Sequence, residues 1–272
     1  MTRPFLTIER EGGLVLLTMD EPATRNALSR PEQCADFIAA IEAINGDDGI
    51  HVAILTGAGP AFCAGGNVRD MQSRQGLMAG GPTDIGERYR RTLQRLALAL
   101  HGLEVPVIAA VNGPAMGAGL DLACMCDLRI ASTAATFAET FVRLGLVSGI
   151  GGAWFLPRAV GHARAAEMAF TGRVIDAGTA LDHGLVSEIV PADRLMERAR
   201  TLAEEIARNS APALRYTKRL LRLSERSDLA GCLDATAALQ TLAHLTPEHA
   251  ASVDRYLEEQ AARRATRRPS PA

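Results

Sequence analysis

Aromatic residues make up only 4% of the chain, with a single tryptophan, and no stretch comes near the roughly 18 consecutive apolar residues that a membrane span needs. A membrane-embedded protein is therefore not expected. Charge of one sign is also missing: 29 basic residues against 31 acidic ones leave a formal net charge of −2, which excludes a broad cationic surface for nucleic acid. Lysine is nearly absent. Lys218 is the only one, and every other basic side chain is arginine, a pattern read as coding bias rather than chemistry. The start, Met1-Thr2-Arg3-Pro4-Phe5, lacks the basic-then-apolar layout of a secretory leader, and a cytoplasmic location is expected. Cys34, Cys63, Cys124, Cys126 and Cys232 are an odd, scattered set and are read as reduced thiols. The six histidines never pair at helical ligand spacing with an acid between them, so no metal site is expected.

What is present is a 47% apolar, 22% charged chain of 272 residues, long enough for one large α/β core with a helical appendage. Two short apolar runs, 5–10 and 14–19, flank Gly12-Gly13 and predict a β-hairpin. Ser29, three residues before Glu32 and with Pro31 between them, reads as a capping box opening a helix to about Ile44. Residues 51–56 and 105–111 read as buried strands, 127–132 as a third, and 120–125 and 153–156 as helices. The glycine-rich stretch 72–86 has no apolar period and is expected to be a mobile loop, followed by one helix over 87–101. From about Asp193 the pattern is helical with almost no strand, through Ala211-Pro212 and again from about Leu229 to Ala262, and the Arg- and Pro-rich residues 263–272 are expected to be a solvated tail. The division read from this pattern is 1–192 as the core carrying the site, 193–262 as a helical region and 263–272 as the tail.

Several catalytic templates fail. Gly117-Ala118-Gly119 lacks the third small residue of a dinucleotide fingerprint, since position 122 is leucine. Gly145 to Gly149 has the wrong spacing for a nucleophile elbow, and there is no phosphate-binding Gly-x-x-x-x-Gly-Lys. Two glycine turns remain, each after a buried strand and each leading into a helix: Ala61-Phe62-Cys63-Ala64-Gly65-Gly66-Asn67, and Met116-Gly117-Ala118-Gly119 with Asp121 behind it. The first amides of a helix have no internal partner and the helix dipole adds positive charge there, so two such turns facing each other would hold an oxyanion. A carboxylate one helical turn away suits the making of enolates. The competing reading is that these glycines only allow tight turns and Asp121 pairs in the core.

These segments, together with Arg25-Asn26-Ala27-Leu28, 106–113, Cys126-Asp127, Leu144-Gly145-Leu146, Gly151-Gly152, Thr171-Gly172, Gly184-Leu185-Val186 and 211–218, resemble the enoyl-CoA hydratase/isomerase (crotonase) superfamily over nearly the whole chain. The resemblance implies a crotonase-like spiral of ββα units with a C-terminal helical region that mediates trimerisation, as a homotrimer or a dimer of trimers. It implies an acyl-CoA thioester substrate, with coenzyme A as part of that substrate and no separate cofactor. The thioester oxygen would accept from the amides of Ala64 and Ala118. Arg25, Ala27, Cys63, Gly65, Gly66, Asn67, Met116 and Gly117 would line the coenzyme and thioester site, and Phe141, Leu144 and Trp154 the acyl pocket. Asn67 stands where the family has aspartate, and either residue can cap the following helix.

The acids depart from the family pattern. Asp121 matches the first of the two hydratase glutamates, Phe141 stands at the second, and Gly149 stands where dienoyl isomerases carry an aspartate. Glu139, two residues before Phe141, would point away from the site on a helix and is expected at the surface; only an extended segment would put it on the same face. With one acid, proton shuttling that moves a double bond is the simplest chemistry, with Asp121 as the acid/base. Water addition with an unidentified second acid is the alternative, and a non-catalytic acyl-CoA-binding protein is the alternative of another class.

Overall fold

The computed structural model describes residues 4–266. The hairpin forms as expected, with β1 (Leu6–Glu11) antiparallel to β2 (Leu14–Met19) and Gly12 in the left-handed region at the turn. Then come α1 (Pro31–Asn45), β3 (Val52–Gly57), α2 (Val68–Ser73), α3 (Pro82–Arg91), α4 (Leu93–His101), β4 (Val107–Val111), β5 (Ala115–Met116) and α5 (Ala118–Met125). The chain continues through β6 (Leu128–Ser132), β7 (Thr136–Ala138), α6 (Gly152–Val160), α7 (His162–Thr171), β8 (Ile175–Asp176), α8 (Ala177–Asp182) and β9 (Glu188–Val190). The helices α9 (Leu195–Ala207), α10 (Ala211–Ser224), α11 (Leu229–His244) and α12 (Pro247–Thr266) complete it.

Six strands make the main sheet in the order β1-β2-β3-β4-β6-β9, parallel except at the β1 edge, and β5-β7-β8 form a small second sheet. Strands β3 and β4 are buried on both faces, which is why they read as unbroken apolar runs. Because side chains alternate across a strand, Ala53, Leu55, Val107 and Ala109 face α1, α4 and α5, while Val52, Ile54, Ile108 and Ala110 face α9. Each large side chain removed from water in this way contributes roughly 1.5–3 kcal/mol.

Four expectations need correction. The N-cap of α1 is Arg30, not Ser29, and it is the Gln33 Oε1 that accepts from the Ser29 and Arg30 amides at 2.7 and 2.9 Å. The stretch 72–86 is not one loop: it holds the end of α2, a 3-10 turn at Gly76–Met78 and the start of α3, elements too short to show a period. The helix expected over 87–101 is broken at Thr92 into α3 and α4. Finally, α9 is part of the layered core: Leu195, Ala199 and Ala203 are buried against the sheet, and alanines four apart allow the close approach. Of the tail expected over 263–272, residues through Thr266 are helical and the remainder lies outside the described residues.

Lys218 is buried on α10 and donates to the Val105 carbonyl at 2.6 Å and to Asp127 Oδ2 at 2.5 Å. The same Asp127 oxygen accepts from the Val107 amide, so one carboxylate joins α10 to the start of β4. Cys34, Cys63, Cys124 and Cys126 are buried free thiols, and burial pushes each up to about 12. Among the described residues, no helix is long and apolar enough to cross a membrane and no group of three or more His, Cys, Asp or Glu is placed to hold a metal ion.

Candidate active site

The two glycine turns do meet. Cys63 pairs with Ala115 in a parallel bridge, its amide donating to the Pro114 carbonyl at 3.1 Å and its carbonyl accepting from the Met116 amide at 3.0 Å. A Cβ on Gly65 would lie 2.4 Å from the Met116 oxygen, and one on Gly119 would lie 2.1 Å from the Cys63 oxygen. Only glycine allows the backbones this close. Gly65 and Gly117 also have φ of +83° and +50°. Gly117 donates to the Ala138 carbonyl at 2.8 Å, which anchors the second turn to β7, and Ala118 opens α5. Asn67 caps α2, its side chain accepting from the Arg69 amide at 3.0 Å.

The Ala64 amide, expected to face a ligand, donates instead to the Arg25 carbonyl at 2.9 Å. Arg25 and Asn26 both have left-handed φ, near +56° and +58°, and this turns the Arg25 carbonyl toward Ala64. Asn26, fully buried, holds the loop there: its Nδ2 donates to the Ala58, Ala61 and Phe62 carbonyls at 3.0, 2.9 and 3.2 Å, and its Oδ1 accepts from the Glu21 amide at 2.9 Å. In the sequence Asn26 stands out only as part of the segment Arg25-Asn26-Ala27-Leu28; asparagine's tolerance of the left-handed region is the residue-type signal for the turn it makes. Its replacement by alanine strands several buried carbonyls and is expected to destabilise the protein by about 3 kcal/mol in urea unfolding; an unchanged midpoint would show that the loop is held by something else.

A pocket beside these turns is lined by Leu28, Gly66, Asn67, Ala118, Phe141 and Ile150, so the structure brings Gly66, Asn67, Ala118 and Phe141 together. Arg25 is exposed at the loop before it and Ala27 is buried. Leu144 is not in this wall. It is 46% exposed, because the chain reverses at Gly145 (φ +66°) and brings Leu146 to the pocket instead. Trp154 is also elsewhere: it stacks under the Arg158 guanidinium, 3.8 Å from the ring centre, beside His101 and Phe155 in a separate cavity. Gly149 is pressed against Tyr89, where a Cβ would lie 2.3 Å from the ring.

Asp121 is fully buried on α5. Ser148 donates to its Oδ2 at 2.6 Å and in turn accepts from the Gly152 amide at 2.7 Å, which ties the carboxyl to the bend before α6. The surface position expected for Glu139 is wrong. It is 5% exposed and lies against Asp121: a Cβ on Gly152 would be 2.2 Å from Asp121 Oδ1 and 2.5 Å from Glu139 Oε1. The reason is local. Strand β7 ends at Ala138 and a 3-10 turn begins only at Thr140, so Glu139, at φ −88° and ψ 76°, is not helical and turns inward with Phe141. Burial raises both carboxyls above the ordinary carboxylate range, and for Glu139 the neighbouring Asp121 charge adds to the rise. Glu139, Phe141, Ser148, Gly152, Leu156 and Phe170 line a second, mostly apolar cavity of about 390 Å³, which shares Phe141 and Leu146 with the first.

The family model described as enoyl-CoA hydratase/isomerase matches residues 9–264. Among curated proteins, the chain is 34% identical over 254 residues to 2,3-dehydroadipyl-CoA hydratase of Escherichia coli, covering 93% of this chain and 96% of that protein. It is 33% identical over 253 residues to 1,2-epoxyphenylacetyl-CoA isomerase of the same organism, covering 93% and 95%. Among solved structures, an enoyl-CoA hydratase/isomerase from Cupriavidus metallidurans superposes with a TM-score of 0.86 at 34% identity, with 95% of each chain covered. A chain matched over more than nine-tenths of its length in sequence and in fold, with two interlocked glycine turns and a buried acid behind the second, belongs to the enoyl-CoA hydratase/isomerase (crotonase) family.

Proposed function

We propose that the protein moves the double bond of an enoyl-CoA thioester, with Asp121 as the acid/base. The observation that carries this reading is Phe141: its ring packs 3.5 Å from where a Cβ on Gly117 would stand, so an aromatic ring and the Thr140 hydroxyl, 3.1 Å from the same point, face this turn where the family resemblance places the second hydratase carboxyl. The Ala118 amide, and the Ala64 amide once Arg25 yields its bond, hold the thioester oxygen and stabilise negative charge there. Asp121 takes the proton as the C–H bond breaks, the electron pair moves to the oxygen, and the same proton returns at the far end of the dienolate. Nothing is gained or lost overall. Arg25, Ala27, Cys63, Gly65, Gly66, Asn67, Met116 and Gly117 frame the thioester and coenzyme, and Phe141 and Leu146 bound the acyl group.

Hydration is the second reading, and Glu139 is the observation that favours it, since it provides a second carboxyl. The two acids nevertheless lie against each other, both approaching Gly152, and only Glu139 reaches a cavity wall, an arrangement that favours isomerisation over two acids flanking a water. Exposed leucines on α11 and α12, among them Leu229, Leu233, Leu242 and Leu257, with Leu245 between the two helices, support assembly as a homotrimer or a dimer of trimers.

Incubation of the purified protein with 2-enoyl, 3-enoyl and aromatic-acyl CoA thioesters, followed by mass spectrometry, tests the proposal. Isomerisation predicts a rearranged product of unchanged mass. A gain of one water establishes hydration, and no turnover of any thioester leaves a binding protein.

A further inference from the structure

Two carboxyl groups in contact inside an apolar shell raise a problem of charge. Asp121 Oδ1 and Glu139 Oε2 are both buried with no hydrogen-bond donor from the protein, although a buried polar atom is nearly always satisfied. Asp121 Oδ1 and Glu139 Oε1 converge on the bare Cα of Gly152. The groups around them offer little relief. From α5 come Asp121 and the neutral thiol of Cys124, from the bend before α6 the Ser148 hydroxyl, and from α7 His162 on the wall of the shared cavity. Two adjacent negative charges in this setting cannot both be stabilised, whereas one proton between them satisfies an orphaned oxygen and halves the charge.

We infer that Glu139 is held protonated at neutral pH and shares its proton with Asp121, making it a positioning residue that keeps the pair at a single negative charge. The inference rests on the reading of Asp121 as the acid/base. In the free enzyme Asp121 is the ionised partner, fixed by donation from Ser148 at Oδ2 and from Glu139 at Oδ1. When it takes the substrate proton the pair becomes neutral, and when it returns that proton the single charge is restored. Glu139 neither gives nor receives the substrate proton. Its work is to prevent a second charge from building up beside the forming enolate, and to orient Asp121 toward the substrate carbon. This arrangement differs from a pair of acids on either side of a water.

The direct test needs no variant. At pH 8, the infrared spectrum of the whole protein should contain the carbonyl stretch of a neutral carboxylic acid, and labelling glutamate with carbon-13 at its side-chain carboxyl should shift that band. Glu139→Gln, which keeps a donor to Asp121 but cannot titrate, should lack the band. The variant should retain activity within about tenfold at pH 7 and lose the alkaline fall in kcat that marks departure of the pair's last proton. Stability gives an independent sign. Because folding raises both carboxyls, the folded state binds more protons than the unfolded one above the ordinary carboxylate range, so the pair's contribution falls as pH rises through the raised values. Glu139→Gln should therefore gain in Tm relative to the parent, and gain more at pH 9 than at pH 5. A parent protein with no neutral-acid band at pH 8, or a Glu139→Gln variant with an unchanged alkaline limb, overturns the inference. Activity that survives Asp121→Asn while the band remains would instead remove the catalytic reading and leave the shared proton as a feature of the fold.

Discussion

Replacing Asp121 by asparagine is expected to lower kcat for double-bond migration by about 10³-fold while leaving thioester affinity within about threefold, the range that loss of a positioned acid/base produces. The substitution is nearly isosteric. An asparagine oxygen can still accept from Ser148, whose hydroxyl is itself fixed by the Gly152 amide, so the bend that closes over α5 should keep its place. What disappears is the ability to hold a proton. Since the side chain is fully buried, removing its charge should also stabilise the fold, and the variant should melt at a higher temperature than the parent above neutral pH. Lost activity together with gained stability is the outcome that separates a catalytic acid from a structural one. Steady-state kinetics with a 3-enoyl thioester, binding calorimetry and a melting curve check the three parts. Lost affinity and lost stability together would assign Asp121 to packing.

The second large effect is expected at Gly119. An added methyl there would lie 2.1 Å from the Cys63 carbonyl oxygen, 2.8 Å from its carbon and 2.9 Å from its Cβ. These are mostly backbone atoms, fixed in a bridge to Ala115 and hydrogen-bonded to Met116, so no side-chain movement relieves the overlap. The two turns must separate, and with them the Ala64 and Ala118 amides proposed to hold the thioester oxygen. Gly119→Ala is expected to destabilise the protein by about 3 kcal/mol, the upper range for an overpacked core, and to lower the melting temperature by about 8 °C. Activity should fall by at least about 10²-fold even where the variant remains folded, because donors aimed at a developing oxyanion carry much of the rate. Gly145→Ala is the control. Its Cβ would meet nothing within 4 Å, so it carries only the strain of φ +66° and should cost about 1 kcal/mol with little effect on turnover. Equal behaviour of the two variants would show that interlocking of the turns is not what holds the site together.

The sequence made the backbone of the site readable because backbone demands leave residue types behind. Gly65 and Gly119 mark close approaches that no other residue permits, Gly117 marks a backbone turn at φ +50°, and the unbroken apolar runs of β3 and β4 mark strands covered on both faces. Side-chain destinations were less readable. Glu139 depends on whether its residue is helical or extended, and the end of β7 settles that by only one position. Leu144 and Leu146 exchange places because Gly145 reverses the chain, a turn whose direction no periodicity records. Trp154 lies on a short helix containing Pro157, and its face follows from stacking with Arg158 and His101, partners distant from the pocket. The Arg25 carbonyl on the Ala64 amide was equally hidden, since it depends on two left-handed residues held by one buried asparagine.

The central claim, that Asp121 carries a proton between two carbons of a thioester without adding water, is tested most directly in D₂O. A 3-enoyl-CoA thioester is incubated with the parent protein and with Asp121→Asn, and the product is followed by proton NMR and mass spectrometry. The account predicts a 2-enoyl product that has gained no water, carries deuterium only at the carbons between which the proton moves and only as far as the Asp121 proton exchanges with solvent before it returns, and forms about 10³-fold more slowly with the variant. A hydroxyacyl product, or double-bond migration that proceeds unchanged without the Asp121 carboxylate, would contradict it.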